Sequence, residues 1–213
     1  MGSGLRRFLV SSAEPVPERC DMCATPIPPD HPHLVQVDER RMMCVCGPCG
    51  FLFNNPGAGG GGYRRVPDRY LADPGFTLSE AQWDELQIPV GMAFFLHNSA
   101  QGTVIACYPS PAGATESELT LDAWSTGIGS SRLAAELEPD VEALLVRRAG
   151  PGGGSTGGGE CLLVPIDACY RLVGLVRMHW RGFDGGSEAW RAIDGFFTEL
   201  SDRARVLDPE GRG

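Results

Sequence analysis

Two Cys-x-x-Cys pairs constrain this chain more than any other feature in it. Cys20-Asp21-Met22-Cys23 is followed, after 22 intervening residues, by Cys46-Gly47-Pro48-Cys49-Gly50. A two-residue spacer lets the backbone turn around an ion so that both sulfurs face it, and two such pairs supply the four thiolates of a tetrahedral site. Gly47 and Gly50 let backbone N–H groups approach the sulfurs and offset their charge. The segment between the pairs carries Pro26, Pro28, Pro29 and Pro32 and little apolar content. The spacing therefore predicts a ribbon over 20–55 that takes its folding energy from the metal, roughly 10–16 kcal/mol for structural zinc. Disulfides fit a cytoplasmic chain poorly, and inert buried thiols fit polar surroundings poorly. The expected ligands are Cys20, Cys23, Cys46 and Cys49.

Cys44 stands two residues before Cys46, so either could pair with Cys49. Cys46 is preferred, because Cys46-x-x-Cys49-Gly50 has the usual knuckle shape; Cys44 is then a spare, a shared ligand or a redox partner. His31 and His33 lie between the pairs, and either could ligate, but a complete thiolate set makes that unnecessary. Zinc is the expected metal. Iron accepts the same four thiolates, and the second knuckle is similar to that of rubredoxins, with its Pro displaced by one position.

Charge narrows the function further. All 18 cationic residues are arginine, which removes a phosphate-loop lysine, a Schiff-base lysine and a kinase-type lysine. The net charge is −9. Residues 1–70 carry 8 Arg against 7 acids, and 71–213 carry 10 Arg against 20. Neither part has the basic stripe a phosphate backbone demands, so no nucleic-acid partner is expected. No apolar run reaches membrane-spanning length. Arg6 and Arg7 precede only Phe8-Leu9-Val10, shorter than a secretory signal, so a cytoplasmic chain without membrane insertion is expected.

The pattern along the chain predicts an α+β fold: an N-terminal four-cysteine metal ribbon followed by a mostly antiparallel sheet packed with helices. The expected parts are a flexible tail over 1–19, the ribbon over 20–55, a Gly-rich linker over 56–62, the α+β domain over 63–205 and a second tail over 206–213. Tyr63 to Leu71 reads as a short strand broken by Pro67. Thr77-Leu78-Ser79-Glu80 reads as a capping box for a helix over about 78–86. Ile88–Leu96 and Gly102–Tyr108 are apolar runs that form a natural hairpin, and Val141–Val146 and Cys161–Val164 are further strands joined by a Gly-rich loop over 150–159. Asp167 caps a helix to about Trp180. Ser187 caps another, whose Trp190, Ile193, Phe196, Phe197 and Leu200 follow the helical period.

Weaker candidates have plainer readings. Cys107, Cys161 and Cys169 sit in apolar elements as small core residues. His97 falls at a hairpin turn and His179 near a helix end. Tyr108 to Ser117 reads as a polar loop without a catalytic motif. Glu136, Glu138, Asp140 and Glu142 read as a solvated face around Pro139. Trp180 and Arg181 could anchor a partner or pack in the core. No acid, base and nucleophile come together, so an enzyme is not the favoured reading.

The cysteine pattern, Ile88-Pro-Val-Gly-Met-Ala-Phe-Phe95, the segment Tyr108–Ser117, Leu137–Leu145, Tyr170–Gly174 and His179-Trp-Arg-Gly182 together resemble an uncharacterised actinobacterial family whose genes lie beside those of uptake nickel–iron hydrogenases. The resemblance spans about Glu18 to Phe197. It implies a hydrogenase accessory protein whose partner is a hydrogenase subunit or maturation factor; it carries over no catalytic residues. The alternative is a rubredoxin-like electron carrier with iron in the same four sulfurs.

Overall fold

Strands β5 (Met92–Asn98), β8 (Glu142–Arg147) and β9 (Glu160–Pro165) are near-continuous apolar runs because both faces of the sheet they form are covered. The computed structural model describes residues 17–55, 57–117, 121–148, 159–182 and 184–207. The expected N-terminal tail before residue 17, most of the Gly-rich 150–159 loop and the end beyond residue 207 lie outside the described residues.

Seven strands form the large sheet. With β4 (Leu71–Ala72), β6 (Thr103–Ser110), β7 (Gly113–Ser117) and β10 (Arg205–Val206), the order is β10-β4-β9-β8-β5-β6-β7. Every pairing is antiparallel except β10 with β4. On one face Phe94, Leu145, Leu162 and Val164 pack against α5 (Ile166–His179) and α6 (Gly186–Arg203) through Leu172, Val176, Ile193, Phe196, Phe197 and Leu200. On the other face Ala93, Phe95, Leu144, Val146 and Leu163 meet Trp83, Leu86, Ile128 and Leu133. These come from α2 (Glu80–Glu85), α4 (Arg132–Glu136) and the turns beside them, with α3 (Leu121–Thr126) between. The mixed α+β architecture with antiparallel sheets and packed helices is the one the sequence pattern predicts.

Local details differ from expectation. The capping box sits two residues further on: Ser79 accepts from the Gln82 backbone and Gln82 accepts from Ser79, while Thr77 lies outside the helix. Pro165, not Asp167, precedes α5, and Gly185, with φ 83°, precedes α6 in place of Ser187. His97 lies within β5 rather than at its turn.

A second, three-stranded sheet carries the cysteines. Its order is β2-β1-β3, with β1 (His33–Gln36), β2 (Arg41–Cys44) and β3 (Tyr63–Arg65). Tyr63–Arg65 thus pairs with the ribbon rather than with the large sheet. The Gly57–Gly62 stretch is a turn inside the ribbon: Gly59 has φ 62°, and a Cβ there would stand 2.9 Å from the Phe53 ring. Leu34, Met43, Val45, Ile27 and Cys20 form a small core of the ribbon's own, more than its composition promised. Val35 and Val66 join the main core instead, so the ribbon packs on the α+β domain.

Candidate metal centre

The hairpin β1–β2 brings the first Cys pair toward the second. Residues 20–24 close a tight turn in which the Ala24 N–H donates to the Cys20 carbonyl at 2.8 Å. The Asp21 N–H donates to the Cys44 carbonyl, and the Cys44 N–H donates to Asp21 Oδ2 at 2.7 Å. This holds the first pair against the end of β2. Cys46 then precedes the short helix α1 (Gly47–Phe51), with Pro48 inside its first turn, and the helix carries Cys49 back toward the same point.

Cys20, Cys23, Cys46 and Cys49 have sulfurs that all lie within 4.8 Å of one another, and Cys23 Sγ and Cys46 Sγ are 3.7 Å apart. With zinc–sulfur bonds of about 2.3 Å, the edge of a regular sulfur tetrahedron is about 3.8 Å. All four are free thiols. Cys20 is buried, Cys46 and Cys49 are half-buried and Cys23 is exposed. These four residues can hold one metal ion.

The electrostatics of the quartet call for a cation. Burial pushes the Cys20 thiol up, but the backbone N–H groups of Cys46, Cys23 and Met22 pull it down further, to about 6. Cys49 is pushed up to about 12, first by its hydrogen bond with Cys46, then by burial and by Cys23 and Cys20. Four sulfurs this close cannot all ionise alone, since each new negative charge opposes the next. A divalent ion removes that conflict and displaces the protons.

Cys44 stays out of the quartet. Along a strand successive side chains point to opposite faces, so Cys44 shares a face with Met42, and Met43 turns into the ribbon core with Leu34.

The other candidates fall elsewhere. Cys107, Cys161 and Cys169 are buried, and burial raises each thiol pKa, Cys107 to about 12. Tyr108–Ser117 is a β6–β7 hairpin rather than a loop, and Ser110 Oγ donates to the Gly113 carbonyl at 3.0 Å. The acidic stretch around Pro139 is solvated at Glu136 and Glu138 but not at Asp140 and Glu142. Glu142 is fully buried and accepts from Arg69 Nε and Nη2 at 2.8 and 2.7 Å, and Asp140 accepts from both the backbone and the hydroxyl of Ser99. Only the tertiary placement of Arg69, distant in sequence, turns that surface pattern into a buried ion pair. His179 Nδ1 meets Glu188 at 3.0 Å, and Trp180 packs on Trp190 with ring centroids 5.9 Å apart.

A four-cysteine ribbon seated on an α+β domain defines the class of this molecule. The chain belongs to DUF5947, a family of unknown function, whose profile matches residues 19–204. No curated protein and no solved structure matches it. No helix among the described residues is long and apolar enough to cross a membrane.

Proposed function

We propose that this protein is a non-enzymatic, zinc-clasped accessory factor of the cytoplasm that supports assembly or maturation of a nickel–iron uptake hydrogenase through protein–protein contacts. The observation that carries the reading is the sulfur quartet together with the apolar side chains its knuckles leave in solvent. Met22 lies inside the first Cys pair, and Phe51 and Leu52 follow the second, exposed by 40%, 69% and 67%. Exposed aromatic and aliphatic side chains on a rigid support are the usual material of a docking surface. Zinc is redox-inert and favours four thiolates, so its part is to hold that surface in shape. The hydrogenase partner comes from the resemblance of the cysteine pattern and the later motifs to proteins encoded beside such enzymes.

Deleting the gene in its host and following hydrogenase activity and large-subunit processing tests the role. Loss of either is expected; unchanged activity and processing would sink it. In a pull-down on hydrogenase subunits, Phe51→Ala with Leu52→Ala should weaken capture while the quartet keeps its ion.

The exposure of Cys23 favours one second reading, a rubredoxin-like electron carrier, because electron transfer needs a metal centre near the surface. Protein purified without added metal separates the two. A colourless, zinc-loaded quartet supports the docking role, and a red, reducible iron chromophore supports the carrier.

A further inference from the structure

A second group of metal-binding side chains lies on the face of the β1–β2 hairpin turned toward the α+β domain. His33 and Cys44 are direct partners in the antiparallel register and so share a face. His31 packs against His33, with ring centroids 4.8 Å apart and planes tilted by 58°. One ring nitrogen of each histidine and the Cys44 sulfur lie within 4.8 Å of one another. We infer that His31, His33 and Cys44 form a second metal site, separate from the sulfur quartet, for a divalent ion of the zinc class.

The hydrogen bonds of the two rings select the ligating atoms. His31 Nδ1 is 2.8 Å from the Pro28 carbonyl oxygen, and His33 Nδ1 is 2.9 Å from Asp167 Oδ2. A carbonyl and a carboxylate only accept, so each Nδ1 carries the hydrogen and each neutral ring presents its lone pair at Nε2. A carboxylate or a backbone carbonyl behind Nδ1 is the arrangement that orients metal-binding histidines and raises their basicity.

Unmet hydrogen bonds point to the same place. Among the described residues, the buried side-chain polar atoms without a partner are His31 Nε2 and Asp167 Oδ1. Both belong to this cluster. A purely structural histidine pair would leave a dry, unpaired nitrogen and bear its desolvation cost; an ion at Nε2 removes that cost.

Two imidazoles and one thiolate suit zinc and its neighbours and suit magnesium or calcium poorly. Three protein donors also leave a coordination position for water or a small ligand, as at catalytic rather than structural zinc. His31, His33 and Asp167 line a cleft of about 1080 Å³ between the ribbon and the α+β domain. The two histidines therefore border space that a small molecule can enter, while Cys44 does not line it.

Titration of the reduced, metal-free full chain with zinc against a chromophoric chelator, and with cobalt followed by visible absorption, tests the assignment. The wild type should bind two ions per chain, and the weaker cobalt equivalent should add the charge-transfer band of a single thiolate. His31→Ala, His33→Ala and Cys44→Ser should each bind one ion and keep the tetrathiolate cobalt spectrum, which also reports that the ribbon is folded. Asp167→Asn, which leaves all three donors in place, should weaken the second ion about 10- to 100-fold without moving the first. A wild type with one ion, a second equivalent lacking any thiolate band, or a second ion indifferent to all three substitutions would overturn it. None of these outcomes depends on the hydrogenase partner, whose own test reads activity in the host.

Discussion

Cys44 and Cys46 are two residues apart and meet different surroundings, because the strand ends between them. Cys44 is the last residue of β2, and Cys46 lies beyond it at the start of α1, where the chain has left strand geometry. Cys46→Ser should therefore release the quartet ion and expose the ribbon to protease, whereas Cys44→Ser should leave that ion in place; metal analysis with limited proteolysis reads both. Arg69 and Glu142 give a second contrast at the same scale. Their bidentate contact buries a full carboxylate, and a further bond comes from the Glu138 N–H at 3.0 Å. Removing one partner of such a pair costs about 3–5 kcal/mol, because it strands the other charge. Arg69→Ala should lower the unfolding free energy read from urea denaturation accordingly, while replacing the exposed Arg171–Glu199 pair should change it by about 1 kcal/mol or less.

Among the elements, the strands and the two long helices owe their stability to different things. β8 and β9 have almost no polar face, so their cost of disruption is that of a packed core: Leu144→Ala should destabilise by about 2–5 kcal/mol. The short helix α2 depends instead on its end. Ser79 and Gln82 satisfy each other's backbone groups, and Ser79→Ala should cost about 1 kcal/mol in the same denaturation experiment. In α6 the apolar period holds over Ile193, Phe196, Phe197 and Leu200, all buried, while Trp190 is 41% exposed. The Trp190 ring turns aside instead, donating Nε1–H to the Asp184 carbonyl at 2.9 Å and packing on Trp180.

At the scale of the whole molecule, two bodies of unequal self-sufficiency share one interface. The α+β domain has two extensive cores, one on each face of its sheet, and the ribbon's own core holds five buried residues. Chelation should therefore loosen the ribbon first, seen as hydrogen exchange over residues 20–55 with the large sheet still protected. Acid should act in the same direction. Thiolate ligands must be deprotonated, so protons compete with the ion, which is held at neutral and alkaline pH and released as pH falls. Metal released to a chromophoric chelator during stepwise acidification checks this. Contacts across the interface, His33 with Asp167, Arg64 with the Pro139 carbonyl and Arg40 with Glu116, should register ribbon loosening as mobility in α5, in the chain that leads into β8 and in β7.

The sequence by itself determined the features that short-range chemistry encodes. Cys-x-x-Cys spacing brings two sulfurs to one point whatever surrounds them, apolar runs of strand length make strands, and a 3.6-residue apolar period makes α6. The quartet Cys20, Cys23, Cys46 and Cys49 and the antiparallel sheet with its helices were legible for that reason. The tertiary structure alone decided what depends on residues distant in sequence. Asp167 reads locally as a helix cap and stands instead behind His33, 134 positions earlier. Glu142 reads as surface charge until Arg69 closes over it, and Tyr63–Arg65 reads as part of the main domain until β1 claims it as an edge. In each case the partner is set by how strands register and layers stack, and local propensity carries no record of that choice.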